Sequence, residues 1–242
     1  YGCWSVVRGL YLAALGLDAG AIGIVFTAAL VGGALMTVLL TANADRCGRR
    51  RILMIGALLM ALAGAVFAVT DSLILLTIAA IFGTISPSGK EVGPFLSVEQ
   101  AILPETTGAE QRTNVFAAYN LVGSMAGALG ALAVGLPALF GIAPLAGYRL
   151  LIWGYVLAAA VLLILFARLS PALEANSRPR SSSRQWLGVH RSRGAVAKLA
   201  ALFAIDSFAG GFIVQSLAAY WFHLRYGVDT KALGAIFFGT NF

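Results

Sequence analysis

Long apolar runs alternate with short polar segments along the whole chain. Eight such runs lie at approximately 1–17, 19–41, 52–69, 73–98, 113–139, 148–169, 195–222 and 230–242. Most of them reach the length of about 20 residues that a helix needs to cross the hydrocarbon core of a bilayer. The pattern therefore predicts an all-α polytopic membrane protein with about seven to eight transmembrane helices. Because the first and last runs are shorter and the chain starts at Tyr1 and stops at Phe242 inside them, we expect a fragment truncated in helices 1 and 8.

One long polar segment, 170–194, separates the first six runs from the last two. It is rich in serine, proline and arginine, and it carries too little apolar surface to fold by itself. We expect a linker that does not cross the membrane.

Composition and charge support the membrane interpretation. The chain is 60% hydrophobic and 11% charged, whereas soluble domains carry roughly 25% charged residues. The net charge of +7 does not indicate nucleic-acid binding, because the cations gather in short loops between apolar runs. Positively charged short loops stay in the cytoplasm, so loops 2–3, 4–5 and 6–7 are predicted to be cytoplasmic. The cations on that side are Arg46, Arg49, Arg50, Arg51, Arg112, Arg168, Arg178, Arg180, Arg184, Arg191, Arg193 and Lys198, against Arg149, Arg225 and Lys231 on the other.

The sequence offers little for metal or enzyme chemistry. Its 2 Cys and 2 His stand far apart, and no carboxylates cluster around either histidine. No Ser/His/Asp set or glycine-rich phosphate loop is visible either. We therefore expect neither a metal site nor a cofactor, and we do not expect an enzyme.

The most specific motif follows the second apolar run. It reads Asp45-Arg46-Cys47-Gly48-Arg49-Arg50, and we expect it to form a short loop at the membrane face. This order closely resembles the loop motif Gly-x-x-x-Asp-Arg-x-Gly-Arg-Arg/Lys of the major facilitator superfamily, with Thr41 in place of the leading glycine. The stretch 86–95 is similar to sequences in uncharacterised bacterial members. Alternatively, the motif acts only in membrane topology, by keeping positive charge in the cytoplasm.

The resemblance implies a division into domains and a mode of action. Residues 1–169 would form the N-terminal six-helix half, 170–194 the cytoplasmic linker, and 195–242 the start of the C-terminal half. It also implies a monomeric carrier in the bilayer, placed in a bacterial inner membrane, which moves a small solute by alternating access and draws on a proton gradient. In this family the motif loop braces the two halves, and a carboxylate such as Asp45 is favoured at a helix N-terminus. The alternative is a non-transporting membrane sensor or assembly factor.

Charged and polar residues inside the apolar runs mark the candidate site. Arg8, Lys90, Glu91 and Asp206 all fall near the expected midplane, and Gln215 is a further polar candidate. Charges are costly in hydrocarbon and usually face a cavity or a partner, and secondary transporters place their substrate sites at this depth. The family resemblance adds that helices 1, 4 and 7 line the central cavity.

Two interpretations of these charges remain open. A structural pair of Arg8 with Glu91 could hold helices 1 and 4 together. Alternatively, Glu91, with Asp206 in reserve, carries the coupling proton, and Arg8 tunes it or anchors an anionic substrate. A guanidinium stays charged, so Arg8 itself cannot be the carrier. A pocket lined by Arg8, Glu91 and Asp206 would favour transport.

Overall fold

The structure is a computed structural model that describes residues 2–83, 95–96, 98–100, 103, 111–169, 193–211 and 214–241. Within these residues the chain forms helices and no strand, which confirms the all-α prediction. The helices are α1 (Gly2–Ala14), α2 (Ala19–Cys47), α3 (Arg49–Val69), α4 (Leu73–Phe82), α5 (Arg112–Leu132), α6 (Leu136–Leu139), α7 (Pro144–Ala167), α8 (Arg193–Gly211), α9 (Gln215–Tyr226) and α10 (Thr230–Asn241). A 3-10 turn, Ala133–Gly135, joins α5 to α6.

Within the described ranges of the chain, four helical segments are long and apolar enough to cross a membrane: Ala19–Ala44, Arg49–Val69, Arg112–Leu139 and Pro144–Ala167. Large apolar side chains lie exposed along them, for example Val38 on α2 at 64% and Leu157 on α7 at 67%. A soluble protein rarely exposes so much contiguous apolar surface, whereas lipid solvates it without cost. The described structure thus supports a polytopic membrane protein.

The apolar pattern predicts the motif at 45–50 as a loop, and this expectation is wrong in part. Helix α2 continues through Asp45 and Arg46 to Cys47, and α3 begins at Arg49. Gly48 alone separates them and has a φ of 93°, a conformation that glycine adopts without a steric penalty. The chain therefore reverses at one residue, and Asp45 lies in the C-terminal turn of its own helix.

The seventh apolar run also differs from its prediction. The pattern predicts one helix over 195–222, but α8 ends at Gly211 and α9 begins at Gln215. Between them Val214 is extended, with φ −78° and ψ 129°. Gly210 and Gly211 precede the break, and glycine is among the weakest helix formers. Hydrophobicity alone could not show this interruption.

Helix α1 lies at the centre of the packing. It contacts α2, α5, α7, α9 and α10, and its residues from Trp4 to Leu12 are all buried. Elsewhere α3 packs on α7, and α2 packs on α4. The surroundings of α1 therefore define the interior of the molecule.

Small residues allow α1 to approach its neighbours closely. Gly2 abuts the backbone of Gly127 on α5, and a Cβ at Gly130 would lie 3.0 Å from the backbone nitrogen of Cys3. Small residues four apart permit such close helix contacts in lipid. The glycines Gly127 and Gly130 therefore contribute to the packing of α5 against α1.

Candidate functional site

Arg8 is completely buried in the middle of α1. Its guanidinium carbon lies 5.4 Å from the ring centroid of Trp4 and 5.7 Å from that of Phe26 on α2. Trp4 and Arg8 stand one helical turn apart and so share a face of α1. The Trp4 ring also stacks on Tyr155 of α7, with centroids 5.4 Å apart. Cation–π contact of this kind partly offsets the cost of withdrawing a guanidinium from water.

The start of α9 packs against the same helix. The hydroxyl of Ser216 donates a hydrogen bond to the carbonyl oxygen of Ser5. A Cβ at Gly9 would lie 2.7 Å from the Ser216 carbonyl oxygen, so the absence of a side chain at Gly9 permits the contact. Gln215 directly precedes Ser216, and Arg8 directly precedes Gly9. The interrupted seventh run thus meets α1 beside Arg8.

Two side-chain donors in this region are buried without an acceptor in the described part of the chain. They are the indole nitrogen Nε1 of Trp4 and the amide nitrogen Nε2 of Gln215. Trp4 is only 2% exposed. Trp4 was not among the sequence-derived candidates, because an apolar run gives no sign that an indole N–H will lack a partner.

The other charged residues predicted for the site are not placed beside Arg8 by the described structure. Asp206 lies on α8 and is exposed, so it does not share the buried surroundings of Arg8. Lys90 and Glu91 lie outside the described residues, and their proposed roles stay predictions. The structure thus brings Arg8 and Gln215 to one helix crossing, while Asp206 is placed elsewhere.

Glu99, a carboxylate that the candidate set does not include, also accepts a hydrogen bond. The hydroxyl of Tyr119 on α5 donates a hydrogen bond of 2.6 Å to Oε2 of Glu99. Glu99 directly follows the fourth apolar run of the sequence. It is therefore an additional acidic group associated with the fourth run.

The motif residues lie at one end of the bundle. Nη2 of Arg50 donates a 2.5 Å hydrogen bond to the carbonyl oxygen of Ala167, the last residue of α7. A cation at a helix C-terminus is favoured by the helix dipole. Asp45 and Arg46 are described only as part of α2, and Arg49 begins α3. The expected placement of Asp45 at a helix N-terminus is wrong for its own helix, because α2 ends there.

The opposite end carries a second polar contact. Nη2 of Arg149 and Oδ1 of Asp71 are 2.7 Å apart, with side chains 36% and 63% exposed. Exposed pairs of this kind contribute about 0–1 kcal/mol. The Tyr11 hydroxyl donates a 2.6 Å hydrogen bond to the carbonyl oxygen of Phe67 nearby in the fold. The turns at Gly48 and Asp71, which flank α3, therefore occupy opposite ends of the bundle.

Across the described residues, no group of three or more His, Cys, Asp or Glu side chains could hold a metal ion. Cys3 and Cys47 are both free thiols.

The fold and the site together define a polytopic helical membrane protein with a buried cation beside an interrupted helix. The profile of the Major Facilitator Superfamily matches residues 3–241, so the chain belongs to that family. An uncharacterized membrane protein of Saccharomyces cerevisiae, YJR124C, is 30% identical over 274 residues. That alignment covers 100% of this chain and 61% of the relative, so the chain spans about three fifths of its length. No solved structure matches the chain.

Membership in this family indicates the general class of protein to which the chain belongs. The superfamily consists of membrane transporters and not of enzymes. The yeast relative gives no support to the expected bacterial origin.

Proposed function

We propose that the protein moves a small solute across the membrane as a secondary active transporter, by alternating access and with proton coupling. The observation that carries the proposal is the complete burial of Arg8 at the centre of the helix packing. Membership in the Major Facilitator Superfamily supports the same class of activity.

A permanent charge inside a membrane bundle is costly and usually serves a function. Arg8 occupies such a position, and its neighbours Trp4 and Phe26 present ring faces to it. An apolar residue would serve a purely structural role equally well, and its burial carries no desolvation cost. The burial of this cation therefore favours solute or proton handling.

The interruption between Gly211 and Gln215 points the same way. Helix breaks at membrane depth are tolerated only where the freed backbone groups meet protein or water. Secondary transporters use interrupted helices to build their binding sites. The break beside α1 is thus an arrangement suited to a transport site.

Proton coupling is proposed to use a carboxylate. Glu91 is the first candidate and Asp206 the second, since arginine cannot release its proton at physiological pH. The exposed position of Asp206 favours Glu91 over it. Glu99, bonded to Tyr119, is a further acidic group whose contribution can be measured beside them.

The cellular setting is part of the proposal. We propose a monomer integral to the bilayer, with loops 2–3, 4–5 and 6–7 on the cytoplasmic side and no nucleic-acid partner. The excess of cations on that side supports the orientation. The bacterial inner membrane remains a prediction of the sequence resemblance only.

Transport can be tested with the full-length protein in proteoliposomes. Uptake of a panel of radiolabelled anionic, neutral and cationic solutes is measured with and without an imposed proton gradient, and again after a protonophore. We expect accumulation of at least one solute class that depends on the gradient. Saturable binding with no movement of any solute under either condition would favour the sensor or assembly-factor alternative.

A further inference from the structure

Two exposed arginines stand at one end of the packed pair that α3 and α7 form. Arg51 lies in the first turn of α3, and Arg168 directly follows the last residue of α7. The hydrogen bond from Arg50 to the carbonyl oxygen of Ala167 joins the same two helix ends. Arg51 and Arg168 therefore flank a fixed contact between the helices.

The protein itself does not neutralise these two charges. The side chains of Arg51 and Arg168 make no hydrogen bond or ion pair in the part of the chain that the structure describes. Arg50 adds a third cation at this end, and its bond is to a neutral carbonyl oxygen. Arg51 also lies near the N-terminus of its helix, where the helix dipole disfavours a cation. This end of the pair therefore carries positive charge that an external anion would balance.

An exposed apolar stripe runs along α3 from Arg51. Ile55, Leu58 and Leu62 follow Arg51 by four, seven and eleven residues, so they share one face of the helix with it. All three side chains are exposed. A chain of apolar surface thus begins directly at the arginine.

The same arrangement occurs on α7. Ile164, Val161 and Leu157 precede Arg168 by four, seven and eleven residues, and all three are exposed. Each of the two helices therefore carries an arginine at the end of an exposed apolar stripe. A small soluble anion would use only the cations, whereas an amphiphile with an anionic head would use the cations and the stripes together.

The position of the arginines matches the depth of lipid head groups. Arg49–Val69 and Pro144–Ala167 are both long and apolar enough to cross a membrane. The ends of such helices lie where the hydrocarbon core meets the head groups. Basic side chains at this depth attract the head groups of anionic lipids.

We propose that Arg51 and Arg168 bind the phosphate of an anionic phospholipid, whose acyl chains lie along the exposed stripes of α3 and α7. The planar fork of a guanidinium matches two phosphate oxygens. A zwitterionic lipid would bring its own cation to the same place, which favours an anionic lipid. In the proposed orientation this lipid belongs to the cytoplasmic leaflet. Its binding does not depend on the proposed transport function.

Lipid binding can be measured on the purified full-length protein in detergent. Phosphatidylglycerol is the probe, and phosphatidylcholine and glycerol phosphate are the comparisons, because glycerol phosphate has the anionic group without acyl chains. Native mass spectrometry counts bound lipid over a titration, and thermal shift records the Tm. The site variants are Arg51→Gln, Arg168→Gln and the double variant. Arg225→Gln is the matched control, since Arg225 is an exposed arginine of α9 outside this site.

We expect phosphatidylglycerol to bind as a discrete adduct and to raise the Tm of wild type and of Arg225→Gln. Phosphatidylcholine and glycerol phosphate should bind far more weakly. Each single site variant should weaken phosphatidylglycerol binding about fivefold, equivalent to about 1 kcal/mol. The double variant should weaken it further.

Three results would overturn the proposal. They are unchanged phosphatidylglycerol affinity in the double variant, an equal loss in Arg225→Gln, and binding of glycerol phosphate or phosphatidylcholine as tight as that of phosphatidylglycerol. The second would mean a general effect of net charge, and the third would mean that either the acyl chains or the anionic charge is not recognised. If the double variant is not monodisperse, the two single variants against Arg225→Gln decide the question. Liposomes of phosphatidylcholine alone remove this contact from uptake comparisons between arginine variants.

Discussion

Ser216 donates a hydrogen bond to the main-chain carbonyl of Ser5, which lies 211 positions earlier in the chain. Both residues are fully buried. The contact joins α1 to the second segment of the interrupted seventh run. Because the predicted division of the chain assigns these helices to different halves, any movement between the halves must break or shift this crossing.

Gly9→Leu tests whether the crossing must close during transport. A Cβ at Gly9 would already lie 2.7 Å from the Ser216 carbonyl oxygen and 3.2 Å from Cβ of Tyr220. The bulkier leucine should hold α9 away from α1 and lower the uptake rate by more than about tenfold, since each 1.36 kcal/mol added to the barrier costs that factor. Initial uptake rates in proteoliposomes are the measurement.

Gly23→Leu is the matched control for this change, because a Cβ at Gly23 on α2 meets nothing within 4 Å. It should retain uptake close to wild type at equal expression. Equal rates in the two leucine variants would show that transport does not require the close contact between α1 and α9.

Arg50→Ala tests the contact between the motif and the end of α7. The substitution removes the hydrogen bond to the Ala167 carbonyl and also one positive charge. We expect a decrease in transport of about tenfold or more, since a hydrogen bond from a charged group contributes about 1.5–3 kcal/mol and each 1.36 kcal/mol is a factor of ten. Uptake is compared with Arg51→Ala, which removes the same charge from an exposed neighbour. If both variants lose activity equally, the effect is one of charge and the contact is incidental.

Asp45→Asn tests the brace that the family resemblance implies. We expect transport to fall while the protein still reaches the membrane, because the substitution removes a negative charge and leaves every arginine of the motif in place. The measurement is uptake normalised to membrane-inserted protein. A wild-type rate would leave the motif with its topogenic role alone.

The sequence predicts those parts of this fold that depend on local hydrophobicity. The apolar run at 52–69 differs from α3, Arg49–Val69, only at its start. The sequence could not predict that α2 extends to Cys47, because the reversal of the chain depends on the positive φ of Gly48. Polar residues such as Arg46 are also tolerated in the last turn of a helix. The break before Gln215 was equally hidden, since apolar residues lie on both sides of it.

The candidate site was likewise predictable from the sequence only in part. Arg8 was predictable because a charge in an apolar run is conspicuous, and the structure buries it completely. Trp4 was not, because an unpartnered indole N–H depends on which helices surround it. The position of Asp206 also depended on tertiary packing, and a charge in an apolar run gave no information about which way it would face.

The linker at 170–194 can be tested by cysteine labelling. In a background that lacks Cys3 and Cys47, Ser182→Cys should react with a membrane-impermeant maleimide only from the cytoplasmic side. Ser72→Cys, at the exposed start of α4, should react only from the opposite side. Labelling of Ser182→Cys from the side that labels Ser72→Cys would overturn the predicted topology.

Glu91→Gln tests the assignment of the coupling proton. Glutamine keeps the size of the side chain and its ability to form hydrogen bonds but cannot exchange a proton at physiological pH. We therefore expect gradient-driven accumulation to be lost, while exchange of solute at equilibrium continues, because binding and the conformational change do not themselves require the carboxylate. Accumulation with and without a proton gradient, and counterflow of labelled solute, are measured on the same proteoliposomes.

Asp206→Asn and Glu99→Gln distinguish Glu91 from the other acidic candidates. Asp206 is exposed on α8, and Glu99 accepts a hydrogen bond from Tyr119. We expect both variants to keep gradient-driven accumulation within about twofold of wild type, a difference of about 0.4 kcal/mol in barrier height. If Glu91→Gln and Asp206→Asn both accumulate solute with an unchanged pH dependence, the proton assignment is wrong. Loss of accumulation in Glu99→Gln alone would then transfer the role to the Glu99–Tyr119 pair, and retention in all three would leave these charges as structural groups.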